Sequence, residues 1–251
     1  MAYGHTEEQI DLQLAAQLQA ALLPGGCPHG CPHQQAAARN RMCGSVGGDF
    51  YDFIKLNSDQ YAITIGDVIG HGIRAALIMA QISGFLRSRA EDRGRPAEIV
   101  RQLNRLLIDL GRRTDSVVCC SLLYAVLDEP SGVGFLVNAG HPYPFLCDKE
   151  SCSVLSLEEH NILLGVEDMQ PTEVCLTFRP GQRLVLFTDG LTDAVDAHRE
   201  PFGYQRLHAA LNAHADDPPQ RCVDGIFQAI DAFRGNAAQS DDETIVVIDR
   251  I

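Results

Sequence analysis

Residues 46–72 read VGGDFYDFIKLNSDQYAITIGDVIGHG, and the fold turns on how this stretch pairs with itself. Tyr51 to Leu56 and Tyr61 to Val68 are rich in aromatic and β-branched residues, and Asn57-Ser58-Asp59-Gln60 between them has turn composition. The spacing predicts a hairpin that brings Asp49 and Asp67 to one end of the strand pair. Two carboxylates held together repel unless something positive sits between them. Gly47 and Gly48 flank the first acid and Gly66, Gly70 and Gly72 the second, as expected where backbone must approach closely.

Downstream, Gly70-His71-Gly72 opens a helical run that is apolar nearly all round, with Ile73, Ala76, Leu77, Ile78, Met79, Ala80, Ile82, Phe85 and Leu86. That pattern predicts a buried helix. After a polar break from Arg89 to Arg95, Pro96 starts a second helix with Ile99, Val100, Leu103, Leu106, Leu107 and Leu110 on one face. The period then becomes that of strands: Val117 to Leu127, Gly134 to Asn138, Tyr143 to Cys147, Glu173 to Phe178 and Arg183 to Phe187. Helical patterns at Tyr204 to His214 and Pro219 to Phe233 precede a last strand, Thr244 to Ile248. Upstream, Glu7 to Leu23 reads as an amphipathic helix ended by Pro24-Gly25-Gly26. Its face of Leu14, Ala15, Leu18, Ala21 and Leu22 suits either the chain's own core or a second helix. Strands joined mostly to strands, with helices in pairs, predict an α+β protein of antiparallel sheets covered by helices. Residues 1–24 are expected to form a linker or dimerisation helix and residues 25–251 one domain. With so few residues ahead of the helix, control is expected from a partner or from self-association.

The formal charge of −13 and pI near 5.0 argue against nucleic acid or an anionic membrane as a partner. No transmembrane run or leader pattern is visible, which predicts a cytoplasmic protein. The nine cysteines lack framework spacing and are expected to be reduced thiols. Cys27, His29, Cys31 and His33 alternate in CPHGCPH, where zinc-ligand types are present without the usual paired spacing, and a surface loop is the alternative.

Asp189 follows the strand-like RLVLF, and Asp241 and Asp242 precede the last strand. With Asp49 and Asp67 they share one context, a strand end beside a turn, and strand ends of a two-sheet sandwich can converge. Taken alone, each reads first as a turn or cap residue. Gathered, an all-carboxylate set selects hard cations, Mg²⁺ or Mn²⁺. Two such ions about 4 Å apart acidify water and clamp a phosphoryl oxygen.

In chain order, VGGDFYD, IGDVIGHGIRAAL, NAGHPYP, LFTDGLTDA and SDDETIVVI resemble the signature of the PPM-type metal-dependent serine/threonine protein phosphatases, in the bacterial SpoIIE/RsbU branch. The resemblance runs from about Leu12 to Ile251 and implies an αββα sandwich preceded by an amphipathic linker helix. It implies two Mn²⁺ or Mg²⁺ ions held by Asp49, Asp67, the Val68 carbonyl, Asp189 and Asp241, with Asp242 as the alternative to its neighbour. The implied reaction is hydrolysis of phosphoserine or phosphothreonine by a metal-bridging water. The implied substrate is a small anti-anti-sigma (STAS-type) protein in a partner-switching pathway, with a homodimer through the amino-terminal helix as a further expectation. This chain has Ile69 where the eukaryotic branch has a proton-donating His. It offers only Arg39 and Arg41 as nearby phosphate-binding candidates, and His141 reads as a turn-stabilising residue. Two other readings compete. A phosphatase fold without activity would be a binding module, and Gly70-His71-Gly72-Ile73-Arg74-Ala75 with Asp92 matches the glycine pattern of a dinucleotide site.

Overall fold

The computed structural model describes residues 7–24, 33–89, 95–148, 151–155 and 161–251. The central hairpin forms where the turn chemistry places it. Strands β2 (Phe50–Lys55) and β3 (Gln60–Val68) pair antiparallel from Phe50–Gly66 to Lys55–Tyr61, and the Asn57 side chain closes the turn on the Asp59 and Gln60 amides. Next come β1 (Gln34–Arg41), β4 (Cys120–Asp128), β5 (Val133–Ala139), β6 (Phe145–Cys147), β7 (Cys152–Val154), β8 (Val174–Thr177), β9 (Arg183–Phe187) and β10 (Glu243–Arg250). They form two five-stranded antiparallel sheets, β1-β10-β9-β6-β7 and β2-β3-β4-β5-β8.

Period-two alternation builds three cores. Tyr51, Phe53, Ile63, Ile65 and Leu123 from one sheet meet Leu184, Leu186, Val246 and Ile248 from the other. The opposite face of the β2-β3-β4 sheet carries α2 (Gly72–Ser88) and α3 (Pro96–Thr114), and α5 (Gly203–Ala213) and α6 (Pro219–Arg234) cover the other sheet. The architecture is therefore the expected αββα sandwich. A four-residue turn of helix, α4 (Asp189–Thr192), follows β9 directly.

Several expectations are corrected. Helix α2 is not buried all round: Ile73 and Leu77 are 61% and 67% exposed. The amino-terminal helix α1 (Glu7–Leu22) turns Ile10, Leu14 and Leu18 to solvent and docks through Leu22, with Leu23 just beyond its end, and Gln19, a polar residue that pattern reading passes over. Strand β1 was not foreseen, because QQAAARNR has no β-branched or aromatic residue; it forms because its backbone pairs with β10 along all eight residues. Cys147 and Cys152, expected as free thiols, are bonded to each other, because the β6–β7 register sets them opposite. The dinucleotide reading fails on topology, since α2 leads into α3 rather than a parallel strand. Asp92 lies outside the described residues, as do Cys27, His29 and Cys31. His33 is described, and its amide donates to Glu129. Among the described residues no helix is long and apolar enough to cross a membrane.

Candidate metal centre at the mouth of the inter-sheet core

The face alternation that fills the inter-sheet core also decides where the acids point. Odd-numbered residues of β2 and β3 face inward, so Asp49 and Asp67, one rung beyond the Phe50–Gly66 pair, continue the same inward row. From the opposing sheet the inward row is even-numbered, Leu184 and Leu186 on β9 and Val246 and Ile248 on β10, and it continues into Thr188, Thr244 and Asp242. The core thus ends in a polar rung. Asp49 is its centre, 1% exposed, with Oδ2 accepting hydroxyl hydrogen bonds from Thr188 (2.7 Å) and Thr244 (2.6 Å). The Thr244 hydroxyl in turn accepts from Asn40 Nδ2 (2.8 Å), and the Thr188 hydroxyl accepts from the Thr244 amide (3.0 Å). One carboxylate is therefore fastened to three strands' worth of the other sheet. The two threonines were not singled out from sequence, although each lies within three residues of a candidate acid.

Asp242 has a different task from its neighbours. Its carboxylate accepts the amides of Cys43 (2.7 Å), Gly48 (2.8 Å) and Asp49 (3.5 Å), so both oxygens organise the loop that enters β2. Asp241 is exposed, with one oxygen accepting the Asp242 amide. Asp189 begins α4, and Gly190 lets the 241–242 segment close onto it: a Cβ there would stand 1.9 Å from the Asp242 carbonyl oxygen. Acids more than fifty residues apart meet for that reason. Gly48 does the same for the hairpin end, where a Cβ would stand 2.6 Å from the Val68 carbonyl oxygen and 3.2 Å from Asp67 Oδ1.

The electrostatics follow from crowding. Burial, then Asp189, Asp241 and Asp242, push Asp67 up to about 7. Burial and Asp67 raise Asp49 well above the usual carboxylate range against the pull of its two threonines. Asp189 is raised by burial, then by Asp241 and Asp193, and Asp241 by burial, with Asp242 and Asp193 adding to it. Asp193 is thus a further acid of the cluster, legible in hindsight from the DGLTD spacing that places it one helical turn after Asp189. His71 lies close enough to Asp241 to pull its acidity the other way.

The remaining candidates sit elsewhere. Arg39 pairs with Asp224 and Arg41 with Glu243 and Asp231, both stacking on Phe227 under α6, so neither reaches the acids. His141 is buried and held neutral, its pKa lowered to about 3 by burial; its ring bonds Ser121 and its backbone is tied to Asn138, the structural role expected of it.

Among the described residues no three His, Cys, Asp or Glu side chains stand in closed chelating geometry. The donor chemistry nonetheless fits a hard divalent cation: carboxylate oxygens from four chain segments, a main-chain carbonyl bared by glycine, and mutual repulsion that a cation relieves.

Residues 57–251 match the family model described as Stage II sporulation protein E (SpoIIE). The chain is 30% identical over 231 residues to protein IcfG of Synechocystis, covering 82% of this chain and 36% of that protein. To the phosphoserine phosphatase RsbP of Bacillus subtilis it is 27% identical, covering 81% and 49%. The chain thus spans half or less of the length of these relatives. Among solved structures, the SiaA-PP2C domain of Pseudomonas aeruginosa superposes with a TM-score of 0.83 at 22% identity, covering 96% of each chain. The catalytic domain of the phosphatase PstP, in complex with two manganese ions, shares the fold at a TM-score of 0.62 and 16% identity, covering 87% of this chain and 99% of that one.

Proposed function

This chain belongs to the SpoIIE family, in the SpoIIE/RsbU branch of the PPM-type phosphatases, and from that premise we propose that it is a metal-dependent phosphoprotein phosphatase acting on phosphoserine or phosphothreonine. The observation that carries the reading is the crowding of Asp49, Asp67, Asp189 and Asp241 at one end of the inter-sheet core, each with its acidity weakened by burial and by another member of the set or by Asp242 beside it.

In this reading Asp49, Asp67, the Val68 carbonyl, Asp189 and Asp241 hold two divalent ions, Mn²⁺ or Mg²⁺. Bound there, such ions supply Lewis-acid polarisation of a phosphoryl oxygen and lower the pKa of water. The chain's own groups do the placing. Thr188 and Thr244 fix the orientation of Asp49, and Asp242 shapes the 43–49 loop, which favours Asp241 over Asp242 as the ligand. Asp67 and Asp189 carry the charge that draws cations to an open rim.

The substrate would be a phosphorylated STAS-type anti-anti-sigma protein in a partner-switching pathway, which places the enzyme in the cytoplasm. Residues 1–24 would be the linker and 25–251 the phosphatase domain. The solvent-facing Ile10, Leu14 and Leu18, spaced four residues apart, support pairing of α1 with a second copy.

The test is phosphate release from a phosphoserine STAS-type protein with Mn²⁺ present. EDTA, Asp67→Asn and Asp189→Asn should each abolish it; release that survives all three would end the reading. Calorimetry showing no divalent binding at millimolar metal would leave a binding module that has kept the fold. Light scattering on the full chain and on a variant lacking residues 1–23 checks the pairing, and an unchanged oligomeric state would count against it.

A further inference from the structure

Gln19 is the odd residue of α1. On a helix that turns Leu18, 71% exposed, to solvent, this polar neighbour is 6% exposed. Its side-chain amide makes a paired contact with a single peptide unit's residue: Nε2 donates to the Gly47 carbonyl (2.7 Å) and Oε1 accepts the Gly47 amide (3.1 Å). Both backbone groups of Gly47 are thereby satisfied by one side chain from 28 residues upstream. A larger residue at Gly47 would displace Asp242 and Met42, because a Cβ would stand 1.9 Å from Asp242 Oδ2 and 2.6 Å from Met42 Sδ. The next residue, Gly48, donates its amide to the same Asp242 oxygen, and the one after is Asp49.

The rest of the α1 contact is sparse. A cleft of about 510 Å³ separates the helix from β1 and the 42–45 loop, lined by Ala16, Gln19, Leu23, Asn40 and Met42 among others. Below Gln19 the attachment passes through Leu22 and Leu23, the Leu22 carbonyl on Arg87 and the Pro24 carbonyl on Tyr51. Among the described residues, the polar hold of α1 on the loop that carries Asp49 passes through the Gln19 amide.

We propose that Gln19 is a positioning residue for the carboxylate cluster: it clamps Gly47 against Asp242, and so makes the placement of Gly48 and Asp49 depend on the seating of α1. The inference rests on the reading of these acids as the metal-holding set. Gln19→Met keeps length, helix propensity and apolar packing while removing both hydrogen bonds.

Two measurements on the full chain decide the matter. In amide exchange followed by mass spectrometry, Gln19→Met should speed exchange in peptides spanning residues 43–49 by about tenfold, with β3 and β4 unchanged. In calorimetry with Mn²⁺ alone, affinity should weaken by about tenfold, and phosphate release should recover toward wild type at saturating Mn²⁺. A merely structural role would lower the melting temperature and leave the Mn²⁺ affinity where it was; that result, or wild-type exchange over 43–49 in the variant, overturns the proposal. Should Gln19→Met fail to fold, native-state exchange of the wild type in low urea serves instead. Residues 43–49 must then lose protection together with residues 12–23 and before β3, and separate openings overturn the clamp. Wild-type protein that binds no Mn²⁺ would sink the functional reading, while the exchange measurements still judge the clamp.

Discussion

Strand β10 starts with two carboxylate environments back to back. Glu243 points outward under α6 and Asp49 meets the inward side of the same strand at Thr244; both acids are 1% exposed. Glu243 is gripped by two guanidiniums, Arg41 and Arg234, with Arg41 Nε at 2.7 Å. Asp49 has two hydroxyls and, as its nearest charge of consequence, another acid. A buried charge needs a partner. On the outer side the protein supplies the partner from its own sequence, and on the inner side it supplies more negative charge. On that difference rests the proposal that the inner side receives a cation.

The comparison can be broken by neutralising each acid in turn. The largest expected effect is on chemistry: Asp67→Asn should cut phosphate release by about 100-fold or more, the scale of several kcal/mol of lost charge stabilisation, whereas Glu243→Gln, assayed at a temperature where it stays folded, should leave turnover within a few-fold. Stability should respond with opposite signs. Glu243→Gln removes the buried carboxylate that two guanidiniums share, leaving them the half-exposed Asp231, and should cost about 3 kcal/mol in urea unfolding. Asp67→Asn in metal-free protein at pH 8 should instead stabilise, by about 2 kcal/mol, because it removes an ionised carboxylate from among its like. A loss of stability in Asp67→Asn would show that the cluster is satisfied without a cation.

The pH dependence sharpens the same contrast. Asp67 stays protonated in the native state up to about 7 but ionises in the unfolded chain near 4. Between those values the native state binds more protons, so metal-free stability should fall as pH rises through that window, and Asp67→Asn should flatten the fall. The smallest effect runs the other way. His141, neutral when buried down to about 3, is protonated more readily in the unfolded chain, so its own contribution should fall by about 1 kcal/mol as pH drops from about 6.5 to about 5.5, offsetting part of the gain from Asp67. A metal-free His141→Gln variant should therefore gain stability more steeply than the wild type as pH falls across that range, when melting is followed.

Much of the fold was legible because its signals are local. The hairpin, the α3 face and the run RLVLF announce themselves through turn chemistry and periodicity; the hairpin strands and RLVLF agree with the structure to within a residue, and α3 starts at Pro96 as read but runs on to Thr114. The α2 pattern misled because an apolar residue such as Leu77 looks the same in sequence whether a neighbour covers it or not. Arg41 looked available for phosphate, since nothing in the sequence says that Glu243 lies across the sheet from it in the β1–β10 register. Thr188 and Thr244 went unnoticed for the same reason: a hydroxyl's partner is fixed by three-dimensional register, not by spacing.

By itself, then, the sequence determined the alternation that points Asp49 and Asp67 to one face and the glycines that let Val68 and Asp242 come close, because both are properties of neighbouring residues. The motif resemblance named Asp189 and Asp241 as their companions, but only the tertiary structure decided how the four come together, that Asp242 turns to the loop amides, and that Gln19 reaches Gly47. Those contacts join segments up to about two hundred residues apart, and their geometry exists only once two sheets have packed and set which strand ends share a mouth.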